Sequence, residues 1–303
     1  MRTRLGKDIV NLVRGKVFFD EPLSRHTSFR IGGPAEVWVE PEDLEDLIEV
    51  VKYSSTNGIP IFVIGGGNNL LVRDEGIRGI IINLSSNYFK RIDPDGDRGL
   101  RAFGGANLAE LVEVAQKFGL GGLEFMVGIP GTVGGAVMMN AGCYDKSIGE
   151  LVWEVRALDR EGKVVSLSKE GLNFGYRSSS LGGYIVLEVY LRLEKKAGVE
   201  IDIDKEMGRF REMKAHLDGL DLPNAGSIFK NPDGVTPSSG RLIELSGLKG
   251  ISFGGAQVWP RHCNFIVNRG DATAKDVLTL IAQIRDKVRS DHGLDLELEI
   301  KIR

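Results

Sequence analysis

Two cysteines in 303 residues, Cys143 and Cys263, are too few and too far apart for a disulfide framework or a thiolate metal site, and they point to a reducing compartment. No apolar run approaches the ~18 residues that span a bilayer. Arg2, Arg4, Lys7, Asp8, Arg14 and Lys16 interrupt the first twenty residues and leave no room for a secretory signal, so the expected location is cytoplasmic, without membrane insertion. Neither sign of charge is in excess: 39 Lys and Arg stand against 42 Asp and Glu, a net charge of −3, which lacks the basic footprint that nucleic acid requires. The common phosphate signatures are missing as well. No G-x-G-x-x-G leads from a strand into a helix and no G-x-x-x-x-G-K-[ST] occurs, which excludes a Rossmann fingerprint and a P-loop.

What is abundant is glycine, 40 residues or ~13% against a usual ~7%. With 42% hydrophobic and 27% charged residues the chain reads as an ordinary globular protein, and its length allows two or three domains at ~150 residues each. Residues 35–40 read as a strand, after which Pro41 suits a first helical turn and Leu44, Leu47, Ile48 and Val51 recur at helical spacing up to Gly58. Short β-branched runs at 59–64 and 79–84 predict two more strands. A polar turn at 93–97 precedes Asn107, which is placed to cap a helix bearing Leu108, Leu111, Val112 and Ala115 and ending at Gly119. Strands are predicted at 152–158, 164–167 and 184–193, the first two joined by a hairpin turn at 159–162. A polar stretch at 195–198 marks a domain boundary, followed by helical segments at 204–215 and 238–246. The last helix, 273–291, carries Val277, Ile281, Ile284 and Val288 on one face and stops at Gly293. A strand at 295–302 alternates, placing Glu297 and Glu299 on one face and Leu296, Leu298, Ile300 and Ile302 on the other.

Two glycine loops carry the strongest chemical signal. Ile64, Gly65, Gly66, Gly67, Asn68, Asn69 and Leu70 follow a strand, and bare backbone there can turn N–H groups inward around an anion such as a diphosphate; a tight turn is the plain alternative. Residues 128–142 are too rich in glycine for a strand and too poor in polar groups for a solvated loop. They are expected to be buried against a planar cofactor bearing a diphosphate, or against another chain segment. Arg177, beside Tyr176 and three serines, and Ser227, near Lys230 and Asn231, read as anion sites, with a surface ion pair and a turn as the respective alternatives. His262 reads equally well as a buried, satisfied histidine.

Taken in order, residues 26–35, 65–71, 128–142, Tyr176 with Arg177, 225–232, 254–257, 264–268 and 296–299 resemble the UDP-N-acetylenolpyruvoylglucosamine reductase family along nearly the whole chain. The resemblance implies an α+β protein: an FAD-binding domain of the vanillyl-alcohol-oxidase (PCMH) type in two α/β subdomains, 1–66 (with the terminal strand 295–303) and 67–196, then an α+β substrate-binding domain, 197–294. It implies non-covalent FAD held by Ile64, Gly65, Gly66, Gly67, Asn68, Asn69 and Leu70 and by Ile129, Pro130, Gly131, Thr132, Gly134, Gly135, Ala136 and Asn140. It implies NADPH as co-substrate and no metal. Arg177, Ser227 and Glu299 would be catalytic, and Tyr176, Lys214, Lys230, Asn231 and His262 would contact substrate.

The implied reaction reduces UDP-N-acetylglucosamine enolpyruvate to UDP-N-acetylmuramate in peptidoglycan precursor synthesis; the protein is expected to be a monomer whose partners are that substrate and NADPH. Arg177 would stabilise the developing oxyanion, Ser227 would supply a proton, and Glu299 would work on the carboxylate in a protonated state that burial can favour. Glu297 competes with Glu299 for that role. The chain passes from Arg177 straight towards a strand, as in the shorter subclass without a substrate-covering tyrosine loop. The rival readings are an FAD-dependent oxidase of the same fold and a catalytically silent nucleotide-sugar binding protein.

Overall fold

The computed structural model describes residues 4–195, 200–214, 221–232, 234 and 236–303. The boundary expected at 195–198 lies, Lys195 apart, outside them, as does the end of the helix expected at 204–215. The chain packs as two units, each gathered from separated stretches: Met1–Phe19, Val37–Gly65 and Gly79–Ala215 in the first, Asp20–Glu36, Gly66–Arg78 and His216–Arg303 in the second.

In the first unit the helix Leu44–Asn57 buries Leu47, Val50 and Val51 against Val37, Val39, Ile80 and Ile82 of a four-stranded sheet, whose order is Lys16–Pro22, Pro34–Glu40, Ile77–Ile82, Ile61–Val63. Asp43 sets the start of this helix, two residues beyond Pro41, because its carboxylate accepts the N–H groups of Glu45 and Asp46; Gly58, at φ 63°, ends it. Asp46 is buried and accepts from the backbone N–H groups of Arg14 (3.0 Å), Gly15 (2.9 Å) and Glu42 (3.1 Å) and from Arg14 Nε (3.0 Å). Burial alone would raise its pKa, but these donors outweigh burial and hold it below the usual carboxylate value. The stability it confers is therefore complete above its unfolded value of ~3.9 and is lost as pH falls through the lower folded value. Asp46→Asn is expected to be less stable than the parent at pH 7, with the difference shrinking below about pH 4 in urea titrations. A difference constant from pH 7 to 3 would refute the linkage.

The remainder of the first unit is built on an antiparallel five-stranded sheet in the order Val164–Ser168, Val152–Leu158, Ile185–Arg192, Gly99–Phe103, Ile92–Pro94. Asn107 caps the helix Leu108–Lys117 through Ala109 N–H, and Leu108, Leu111, Val112 and Ala115 pack with Val155, Val189 and Leu191 of the sheet. The short helix Val133–Met138 joins the same core through Val133, Ala136 and Val137.

In the second unit the helix Ala274–His292 presents Val277, Ile281, Ile284 and Val288 to a core shared with Ala225, Val258 and Ile266, and with Phe29, Ile31 and Leu71 from the two earlier stretches. Thr273 and Asp276 form a capping box, and the Asp74 carboxylate accepts the N–H groups of Ala274 (2.8 Å) and Lys275 (3.1 Å), placing negative charge at the positive helix end. The sheet runs Asn224–Ser227, Phe265–Asn268, Ala256–Val258, Ser252–Phe253. The terminal alternation forms a regular ladder only at Lys301–Ile302, parallel to Leu70–Leu71. Residues 297–299 bond instead to residues 228–230, through Lys230 N–H to Glu297 O (2.9 Å) and Glu299 N–H to Ile228 O (2.8 Å). Among the described residues no helix is long and apolar enough to cross a membrane, and no His, Cys, Asp and Glu cluster could hold a metal ion.

Candidate active site

Within the first unit the start of the first glycine loop meets the second loop. A Cβ at Gly65 would lie 2.3 Å from Thr132 Oγ1, so only glycine permits this approach. The carbonyls of Ile64 and Gly65 accept from Asn83 Nδ2 at 2.7 and 3.2 Å, which fixes the loop as it leaves the strand. Thr132 is the N-cap of the helix Val133–Met138 and accepts from Gly135 N–H. Sequence patterning gave no helix here, because two adjacent glycines disfavour one. Gly134 is explained by packing, since its Cβ would lie 2.9 Å from Gly104 O. Gly135 is not: it is exposed, and a Cβ would approach only Thr132 Oγ1, at 3.4 Å. Bare, outward-facing backbone in the first turn of a helix, beside a second glycine segment, fits the diphosphate of a dinucleotide cofactor. Ile129 is half-buried, Pro130 is exposed, and Gly131 O accepts from Leu108 N–H (3.1 Å), so the approach to the helix is itself anchored.

Tyr176 and Arg177 form the tip of a tight hairpin closed by two bonds, Gly175 N–H to Ser178 O (3.0 Å) and Ser178 N–H to Gly175 O (3.2 Å). Arg177 has φ 53°, at a turn position that ordinarily takes Gly or Asn. Its Nη2 donates to Gly142 O at 2.9 Å, and its guanidinium carbon lies 4.9 Å from the Tyr176 ring centroid. Lys214 Nζ donates to the carbonyls of Phe125 (3.2 Å) and Val127. Burial lowers the Lys214 pKa and raises that of Cys143, whose Sγ lies 3.1 Å from Phe125 O. In the sequence Cys143 belongs to no disulfide or metal-ligand pattern. Only the fold brings it to Lys214, and no local pattern signals this.

The second unit brings Ser227 and Glu299 together through backbone. Ser227 ends its strand opposite Phe265, and the next residue, Ile228, accepts the Glu299 N–H. Asn69 Nδ2 donates to Glu299 O at 3.2 Å, tying the first glycine loop to the terminal segment. Gly67, at φ 64°, would place a Cβ 2.1 Å from His26 O, and Ser28 N–H donates to Gly67 O (3.2 Å) while its hydroxyl donates to Asn224 O (2.7 Å). Ser28 thus joins the loop to the strand that ends at Ser227. It lies in the segment 26–35 that carries the family resemblance, which was its only signal.

Lys230 Nζ pairs with Glu297 Oε1 at 2.5 Å, and Asn231 Oδ1 accepts Ser239 N–H at 3.1 Å. Glu297 is thereby spent at the surface, 73% exposed, whereas Glu299 is half-buried beside Ile228. His262 is half-buried with its ring edge-on to Phe265, centroids 4.9 Å apart. Gly66 is exposed, and Asn68 and Leu70 are half-buried.

Residues 35–168 match the model of an FAD binding domain, and residues 218–303 match the C-terminal domain of UDP-N-acetylenolpyruvoylglucosamine reductase. The UDP-N-acetylenolpyruvoylglucosamine reductase of Caldanaerobacter subterraneus is 42% identical over 96% of this chain and 95% of its own. That of Clostridium tetani is 42% identical over 97% and 94%. The chain belongs to the UDP-N-acetylenolpyruvoylglucosamine reductase family.

The crystal structure of the Thermus caldophilus reductase superposes with a TM-score of 0.81 at 36% identity, covering 95% of this chain and 98% of that one. Membership of this reductase family makes the chain a flavoprotein oxidoreductase of peptidoglycan precursor synthesis, with an FAD-binding domain followed by the family's C-terminal domain. The match of nearly full length also agrees with the short subclass: residues 178–184 lead directly from Arg177 to the strand Ile185–Arg192.

Proposed function

We propose that the protein uses NADPH and non-covalently held FAD to reduce UDP-N-acetylglucosamine enolpyruvate to UDP-N-acetylmuramate, in the cytoplasm and as a monomer. The observation that carries this reading is the bare, outward-facing backbone at Gly135 beside Gly65 in the first unit; the second unit, taken by itself, fixes half-buried Ser227 and Glu299 on neighbouring main chain. Ile64 to Leu70 and Ile129 to Ala136 would hold FAD; the Asn140 side chain, expected to join them, is instead buried and spent on Gly175 O and Gly149 N–H, and stands outside the cofactor set. In division by role, 1–66 with 295–303 and 67–196 would serve the cofactor and 197–294 the substrate.

Bound FAD, reduced by NADPH, would supply hydride to the terminal vinyl carbon. The chain's own residues must then meet the charge that spreads from the adjacent carbon onto the substrate carboxylate. Arg177 is always charged and offers directional paired donors, so its role is electrophilic stabilisation. Ser227 delivers the proton to the carbon beside the carboxylate; hydroxyl acidity is poor, so its fixed position has to compensate. Glu299, rather than Glu297, works on the carboxylate, since Glu297 is committed to Lys230. Tyr176, Lys230, Asn231 and His262 contact the nucleotide sugar, and Lys214 its diphosphate.

The test is anaerobic NADPH oxidation by the flavin-loaded protein with and without UDP-N-acetylglucosamine enolpyruvate. Turnover that depends on that substrate is expected. A yellow protein that oxidises NADPH only when oxygen is admitted would favour the oxidase reading, and one that takes up no FAD would refute the glycine-loop assignment.

A further inference from the structure

Asn140 closes the second glycine loop, yet its side chain is turned into the protein. It is 7% exposed, and both ends of its amide are taken: Nδ2 donates to Gly175 O at 2.9 Å and Oδ1 accepts Gly149 N–H at 2.9 Å. Gly175 is the first residue of the hairpin whose tip is Arg177. Gly149 is glycine because a Cβ there would lie 2.5 Å from Phe174 Cγ and 2.7 Å from Asn140 Oδ1. The other arm of the hairpin is tied to the same segment, Ser179 Oγ donating to Met138 O at 2.8 Å, and Arg177 itself donates to Gly142 O. Residues 138–142 therefore hold the hairpin at three points. A tight turn with a non-glycine residue at positive φ on its tip needs such outside support to keep one conformation.

We propose that Asn140 is a positioning residue for Arg177: it fixes the orientation of the guanidinium by anchoring the Gly175 arm of the hairpin to the end of the cofactor loop, and does not itself meet the cofactor. This rests on the reading of Arg177 as the residue that meets the substrate's developing charge. The anchor connects a cofactor-holding helix to the residue that acts on substrate, so a disturbance of one is transmitted to the other through a single buried amide.

The test uses the flavin-loaded protein with two variants. Asn140→Gly removes the side chain while accepting the backbone φ of 43°, and Asn140→Asp keeps the shape and the acceptor but opposes a carboxylate to Gly175 O. In rapid mixing, both are expected to leave flavin reduction by NADPH within about twofold and to slow reoxidation by UDP-N-acetylglucosamine enolpyruvate by about 100-fold, the usual penalty for a small displacement of a reacting group. In an Arg177→Ala background the same changes are expected to alter reoxidation by less than about twofold, because nothing is left to position. A full additional loss in that background would overturn the proposal, as would equal slowing of both half-reactions or loss of flavin from both variants, each of which assigns Asn140 to the cofactor or to folding. If Arg177→Ala alone reoxidises at the parental rate, the reading of Arg177 falls instead, and the two failures are distinguished.

Discussion

Ser227→Ala is expected to leave flavin reduction by NADPH nearly unchanged and to slow transfer to UDP-N-acetylglucosamine enolpyruvate by about 10²–10⁴-fold, the range associated with loss of a positioned proton donor. Hydride addition to the vinyl carbon creates a carbanion beside a carboxylate, and only the second half-reaction needs a proton there. The residue is held on main chain with little freedom: its strand is paired at Phe265, Ile228 N–H donates to Asn264 O at 2.8 Å, and Ile228 O is bonded by Glu299 N–H. That rigidity suits a weak acid, which gains from placement what it lacks in pKa. Ser227→Cys, retaining a transferable proton, should recover part of the loss. Rapid mixing of each half-reaction reads the effect directly. Equal losses in both halves would mean that Ser227 supports the flavin site or the fold and does not donate the proton.

The second large effect falls on stability. Asn264 is 4% exposed and pairs with Phe229 as a strand would, its Oδ1 accepting Phe229 N–H at 3.0 Å and its Nδ2 donating to Phe229 O at 2.8 Å. Phe229 is 1% exposed, so water cannot replace either bond. Asn264→Ala leaves a buried donor and a buried acceptor unpaired, at ~1–3 kcal/mol each, and removes packing volume; a loss of about 3–5 kcal/mol is expected. Asn264→Asp keeps the acceptor but opposes a buried carboxylate to Phe229 O, so at neutral pH its urea midpoint should fall at least as far as that of the alanine variant. A loss under about 1 kcal/mol for Asn264→Ala would show that Phe229 finds other partners.

The regular helices were legible because their signals are local. Asn107 and Gly119, and Thr273 and Gly293, bracket helices whose apolar residues recur at the correct spacing, and those residues are the ones buried. Where tertiary contacts decide, the sequence was silent or incomplete. The helix Val133–Met138 exists despite Gly134 and Gly135, because Gly134 packs on Gly104 backbone and Thr132 caps the first turn. The terminal alternation correctly buries Leu296 and Ile300, yet most of it bonds to residues 228–230 and forms no regular strand. The spacing of the terminal motif favours Glu299 over Glu297, but their different surroundings, Lys230 at the Glu297 carboxylate and Ile228 and Asn69 at the Glu299 main chain, appear only in the fold. The resemblance singles out Asn140 and the segment that begins at Asn264, but the buried backbone their amides serve is visible only in the fold.

The patchwork of the second unit has a consequence for synthesis. Phe29, Ile31 and Leu71 belong to a core whose other members lie in His216–Arg303. At ~5–20 residues per second, the stretch Gly66–Arg78 waits roughly 7 to 30 s after translation before its partners exist. During that interval Leu71 has only Phe29 and Ile31 of its core, which stays incomplete until the last helix has been made.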